Sequence, residues 1–181
     1  MGAKFKELKT ITHDALEIYD ITDIDNKAVV EETLKCINVV ASPVASDTMS
    51  EDTVLDLSQI HTRSLIQEIH KVLHSNNLRI KGRPWGQIHR QYESTNMHAH
   101  GSENIAWVYY VRVPKNSGIL SFKQFHGFTH TTTHDHIPEE GQLVIFPGYM
   151  VHSVTKNYNV IPRVSISGNA EYIKEGKEYV D

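Results

Sequence analysis

Apolar and polar positions change their rhythm near Leu78. Before it, two stretches repeat at helical spacing. Val30, Thr33, Leu34 and Ile37 share one face of a predicted helix over about 27–38, and Asp23, Asp25 and Asn26 offer N-cap chemistry at its start. Ile60, Leu65, Ile66, Ile69, Val72 and Leu73 make an apolar stripe on a second helix over about 56–75, which Asn76 and Asn77 can end. Ahead of the first helix, residues 16–24 alternate as in a strand. Residues 41–56, with Pro43, Ser46, Asp47, Ser50 and Asp52, read as a loop. After Leu78 the period is two. Strands are predicted over 86–92, 105–113, 118–123, 142–146, 152–156 and 163–170, most of them separated by short turns. Many short strands after two helices predict an α+β fold whose β part is a barrel or jelly roll.

A chain of 181 residues suits a single domain with a sizeable core. Its apolar content of 39% and charged content of 22% are ordinary for a globular protein. The formal net charge of -4 and the lack of a Lys/Arg run argue against broad nucleic-acid binding. No apolar stretch reaches the length of a membrane span, and Met1 to Lys6 lack the apolar core of a secretory signal. Cys36 is the single cysteine, so no intramolecular disulfide can form and a reducing, cytoplasmic setting is expected. Twelve histidines, concentrated in the second half, are the compositional oddity.

Three of those histidines make a chemical pattern. His98 and His100 are two residues apart, so on a strand both point to one face and can grip one ion. His152 follows at a distance that lets a neighbouring strand return to the same place. Imidazole suits Zn, Cu, Fe and Ni. Arg163 and Ser165 then share a strand face, and an arginine fork binds a carboxylate through two parallel hydrogen bonds. The expected outcome is a metal site with an anion site beside it. Each part alone has a plain reading, as a surface histidine or a surface arginine; the order of the parts gives the pattern its force.

This order, HxH, a distal His, then RxS, resembles the 2-oxoglutarate/Fe(II)-dependent oxygenase superfamily. Val108-Tyr109-Tyr110 followed by Ser117-Gly118-Ile119-Leu120, and Gly141 to Pro147 leading towards His152, look like strands of its prolyl-hydroxylase branch. A family of bacterial and phage oxygenases that itself carries HxH is similar from Trp85 to Tyr172. The resemblance implies a double-stranded β-helix, a cupin-like jelly roll over about 81–173. The N-terminal helical part, about 1–80, would pack on it to complete one domain over 1–181. It implies Fe(II), 2-oxoglutarate as cosubstrate and O2, with hydroxylation of a small-molecule or peptidyl substrate. His98, His100 and His152 would be the metal ligands, and Arg163, Ser165 and Tyr110 would hold the far carboxylate of 2-oxoglutarate. His100 departs from the superfamily, which usually has Asp or Glu there. Asn169 shares the Arg163 face and would line the pocket, as would one or more of Gln87, His89 and Gln91. The histidine-rich stretch 126–136 is expected as an exposed hairpin facing substrate rather than a second metal site.

Two rivals stand beside this reading. One is a three-histidine cupin-type dioxygenase without 2-oxoglutarate. The other is a catalytically inactive metal-binding β-barrel. No nucleic acid and no membrane are expected as partners, a homodimer is left open, and the location would be cytoplasmic, or the host cytoplasm for a phage protein.

Overall fold

The computed structural model describes residues 2–11, 14–36, 39–40, 51–102, 104–126 and 130–173. Two antiparallel sheets and two helices account for their regular structure. In chain order the elements are β1 (Lys4–Ile11), β2 (Asp14–Asp20), α1 (Asn26–Lys35), β3 (Val39–Val40), β4 (Glu51–Val54), α2 (Ile60–Ser75), β5 (Leu78–His89), β6 (Thr95–His98), β7 (Ile105–Arg112), β8 (Leu120–His126), β9 (His130–His136), β10 (Gln142–Pro147), β11 (His152–Val154) and β12 (Arg163–Tyr172). The larger sheet has the order β1-β2-β10-β7-β12-β5-β4-β3, and the smaller has β6-β11-β8-β9.

The apolar run of β7 explains the layering. A strand covered on both faces needs apolar side chains on both. Trp107, Tyr109 and Val111 pack under the helices with Leu65, Ile69 and Leu73 of α2 and Val29 and Val30 of α1. Ala106, Val108 and Tyr110 face the smaller sheet, where Leu120, Phe122 and Val154 meet them. Strand β12 alternates in the same way. Val164, Ile166 and Ala170 go to the helix side, which leaves Arg163 and Ser165 between the sheets. Gly168 lies so close to the Trp107 indole that a Cβ there would overlap the ring.

The helices form where the spacing predicts, with shifted ends. Asp25 caps α1, its carboxylate accepting from the Ala28 N–H at 3.0 Å. Val30 and Thr33 are buried, but Leu34 is exposed and Val29 takes its place; Ile37 lies outside the described residues. Helix α2 begins at Ile60 rather than Asp56, because Asp56 closes a turn on the Ser58 N–H at 2.9 Å. Ile60 is therefore exposed and drops out of the stripe. The N-cap residue Gln59 makes no side-chain cap. Glu32 of α1 supplies it instead, accepting from the Thr62 N–H at 2.7 Å, the Thr62 hydroxyl at 2.8 Å and the His61 N–H at 3.2 Å.

Part of the predicted loop is a strand. Residues 41–50 lie outside the described set, but Glu51–Val54 pairs with β5, covering an edge that would otherwise present unpaired backbone groups. Strand β1 gave no sequence signal because it is an edge strand in which Lys4, Lys6 and Lys9 interrupt the apolar residues. No helix among the described residues is long and apolar enough to cross a membrane.

Candidate metal centre and anion pocket

His98 and His152 are direct partners across β6 and β11. Their rings are 4.3 Å apart, and the His100 ring is 5.1 Å from the first and 5.2 Å from the second. One ring nitrogen from each lies within 4.8 Å of the other two, the one such group of three among the described residues. Strand geometry alone does not place His100. Strand β6 ends at His98, and the His100 N–H donates to the Gly148 carbonyl at 2.7 Å, which turns the ring back.

Two of the rings are fixed in the same way. His98 Nδ1 lies 2.8 Å from the Asn96 carbonyl, and His152 Nδ1 lies 2.8 Å from the Met150 carbonyl. A carbonyl only accepts, so each Nδ1 carries the proton and each Nε2 keeps a lone pair for a metal. Around His100, Trp85 stacks at 5.9 Å and the Asn169 side chain interacts with the ring. Burial, then the neighbouring His98, pulls His152 down to about 3. The same two causes pull His100 to about 4, partly opposed by Asn169. Both are neutral at physiological pH, the state that ligates.

A cavity of about 270 Å³ opens from this cluster, and Arg163, Tyr110 and Gln87 line its other end. Register explains the depth. Gln87, Ser165 and Tyr110 form one cross-strand row, and His89 and Arg163 form the next. Arg163 is 1% exposed, and its Nε and Nη1 have no hydrogen-bond partner among the described residues. Its Cζ lies 5.7 Å from the Tyr110 ring centroid. Burial lowers its pKa, but a guanidinium stays charged. Ser165 is fully buried, and its Oγ is likewise unpartnered. Burial, tempered by Arg163, pushes the Tyr110 phenol up to about 12, so it remains a donor. A buried cation without an anion is costly, and a guanidinium fork with hydroxyl donors nearby is chemically suited to a carboxylate.

The remaining candidates separate. His89 is fully buried beside Arg163, with Nε2 at 2.8 Å from Thr95 Oγ1; burial, and then Arg163, keep it neutral. Gln87 lines the cavity. Gln91 does not share their face, because β5 stops at His89 and Arg90–Glu93 make a turn in which Tyr92 has φ 71°. The row runs 85, 87, 89 rather than 87, 89, 91. Trp85 is the residue the sequence reading passed over, although its period-two spacing from Gln87 was available. Phe146, against His152 at 4.9 Å, was passed over as well, because a buried phenylalanine carries no chemical signal. Of stretch 126–136, the described residues are His126, which ends β8, and β9, which pairs with β8 and has its far end, His136, buried.

Residues 83–169 match the family described as "Putative 2OG-Fe(II) oxygenase". Solved structures with the same fold include the non-heme alpha-ketoglutarate-dependent carbocyclase SnoK of nogalamycin biosynthesis. It is 12% identical over 87% of this chain and 79% of its own, with a TM-score of 0.67. The epimerase SnoN, solved with Fe3+, alpha-ketoglutarate and nogalamycin RO, is 15% identical over 91% of this chain and 83% of its own, with a TM-score of 0.66. A Trichoplax adhaerens prolyl hydroxylase, in complex with a hypoxia inducible factor peptide fragment, is 14% identical over 83% of this chain and 78% of its own, with a TM-score of 0.61. No curated protein sequence matches the chain. The oxygenase resemblance read from the sequence is thus met by both the family match and the fold, and enzymes of this family use Fe(II), 2-oxoglutarate and O2.

Proposed function

We propose that this chain, whose residues 83–169 carry the 2-oxoglutarate/Fe(II)-dependent oxygenase core, is a dioxygenase that hydroxylates a C–H bond of its substrate. The observation that carries the reading is Arg163. It is a buried guanidinium with two nitrogens unpartnered among the described residues, and it lines the same cavity as the three imidazoles, with Ser165 next to it on the same strand face. A dicarboxylate that reaches a metal with one end and Arg163 with the other fits both. The two facing sheets, joined by apolar side chains, are read as a double-stranded β-helix and the described residues as one oxygenase domain.

The donor set suits iron, which imidazole nitrogens ligate. His98, His100 and His152 would hold the ion. When bound, Fe(II) with 2-oxoglutarate and O2 supplies an oxidant that inserts one oxygen atom into a C–H bond, while the other enters succinate as CO2 leaves. The chain's own residues position and shield. The carbonyls of residues 96 and 150 fix two ligand rings, and Trp85 and Asn169 support the third. Arg163, Ser165 and the Tyr110 hydroxyl donate to the far carboxylate. Leu120, Phe146 and Val154 make the walls apolar and restrict water.

Titrating 2-oxoglutarate into anaerobic, Mn(II)-loaded protein tests the reading. Binding should require the metal, and aerobic Fe(II)-loaded protein should form succinate. His100 in place of a carboxylate is the one feature that favours the three-histidine cupin alternative. No 2-oxoglutarate binding to the metal-loaded chain would select it.

A further inference from the structure

The smaller sheet carries a second hollow, separate from the metal cavity. In β6 two residues lie between Thr95 and His98, whereas in β11 only Ser153 lies between Val154 and His152. Asn96 and Met97 therefore both stand opposite Ser153, a bulge of the kind that bends a strand. Against this bulge lies a groove of about 430 Å³, lined among others by Asn96, Ser121, Lys123, Thr133, Ser153 and Lys156. Thr95 and Val154 line both the groove and the inner cavity, so a single layer of chain separates the two spaces.

The lining of the groove holds two lysines and no carboxylate. In a chain of formal net charge -4 this is a local reversal of sign. Register puts the lysines on either side of Ser153. Ser121 pairs with Ser153, and the Lys123 N–H donates to the Val151 carbonyl at 2.8 Å, two residues before Ser153; Lys156 lies three residues after it. Lys123 Nζ sits 5.9 Å from the Phe125 ring centroid. Neither ammonium has an ion-pair or hydrogen-bond partner among the described residues, and the hydroxyls of Ser153 and Thr133 and the amide of Asn96 are equally unengaged there. Two other hydroxyls are in use. Ser121 donates to Asp135 at 2.7 Å, and Thr155 accepts from the Ile119 N–H at 2.9 Å. The free donors thus approach one space from two ends and from its floor. A flat carboxylate is matched best by a guanidinium fork, as at Arg163. Separate ammonium point charges with hydroxyls between them suit a phosphate, whose several oxygens accept from different directions.

We propose that this groove is a phosphate site, distinct from the Arg163 pocket, in which Lys123 and Lys156 supply the charge and Ser153, Thr133 and Asn96 supply further donors. It stands independently of the oxygenase reading. The test follows the backbone amide resonances of the metal-free chain at constant ionic strength, titrated with inorganic phosphate and with glycerol 3-phosphate. Both should shift Asn96, Lys123, Thr133 and Ser153, and acetate and chloride should not. Tighter binding of the ester than of inorganic phosphate identifies a phosphorylated small molecule as the source, and the reverse identifies the free ion. Lys123→Gln/Lys156→Gln should weaken phosphate binding at least about tenfold. Lys123→Arg/Lys156→Arg should retain it, and so should the charge-matched control Lys27→Gln/Lys35→Gln on α1. Arg163→Ala should leave the groove shifts in place. Equal shifts with chloride or acetate, unchanged affinity in the Lys123→Gln/Lys156→Gln variant, or loss of the shifts in Arg163→Ala each overturns the proposal.

Discussion

His98 and His152 face each other across β6 and β11, and each donates its Nδ1 proton to the carbonyl of the residue two places before it. The local chain thus aims both rings before any metal arrives. Metal content per chain should fall sharply in His98→Ala and in His152→Ala, and stay near wild type in His130→Ala, whose ring lies on the hairpin. Chelation, reloading and elemental analysis check this. Full metal in both of the first two variants would place the site elsewhere.

With His100 as the third ligand, this residue should decide which ion the site prefers. A neutral ligand in place of a carboxylate leaves more positive charge on the ion and lets Ni, Cu or Zn compete with Fe(II). His100→Asp should shift the preference towards Fe(II) and Mn(II). Competition titrations between Zn(II) and Mn(II) measure it, and an unchanged ratio would mean that residue 100 does not touch the metal.

Arg163 has no carboxylate partner among the described residues and is fully buried. Hydrogen bonds to charged groups contribute roughly 1.5–3 kcal/mol each. Losing two should weaken 2-oxoglutarate binding by on the order of a hundredfold in Arg163→Ala. Lys keeps the charge but loses the fork, so Arg163→Lys should fall between. Calorimetry on the Mn(II)-loaded proteins orders the three, and equal affinities would sink the assignment.

Asn169 interacts with the ring of His100 from β12. Removing a partner that orients a ligand usually costs at least about tenfold in metal affinity. Asn169→Leu should show that loss for Mn(II) with an unchanged thermal transition of the metal-free protein. A lowered transition with unchanged metal affinity would make the residue structural only.

Glu32 links the two helices by capping α2 from α1. Burial pushes its carboxyl up, but the donors of Thr62 and His61 outweigh this and hold it at about 2. Its folded pKa is below the unfolded value of 4.5. The stabilisation is therefore complete above that pH and fades as the pH falls towards about 2. Glu32→Gln should lose roughly 2 kcal/mol at neutral pH, and the gap from wild type should narrow on acidification. Urea unfolding at pH 7 and pH 3 measures both, and a constant gap would remove the ionic contribution.

The sequence by itself determined the helices, most strands after Leu78 and the chemical types at the site. Period, caps and the HxH, His and RxS order are local properties, written in consecutive side chains. Strands β1 and β4 were not legible: β1 is an edge strand, covered on too few sides to need an apolar pattern, and β4 is a four-residue strand with only two-residue β3 beyond it. Gln91 was misplaced because a turn with a positive φ ended β5 early, and nothing in the alternation marked that point. Only the tertiary structure decided that Trp85 stacks on His100, that Asn169 reaches the same ring, and that Arg163 is buried without an ion-pair partner among the described residues. Each of these depends on which strands become neighbours and in what register, and register between distant segments is set by packing of the whole core rather than by any one stretch of chain.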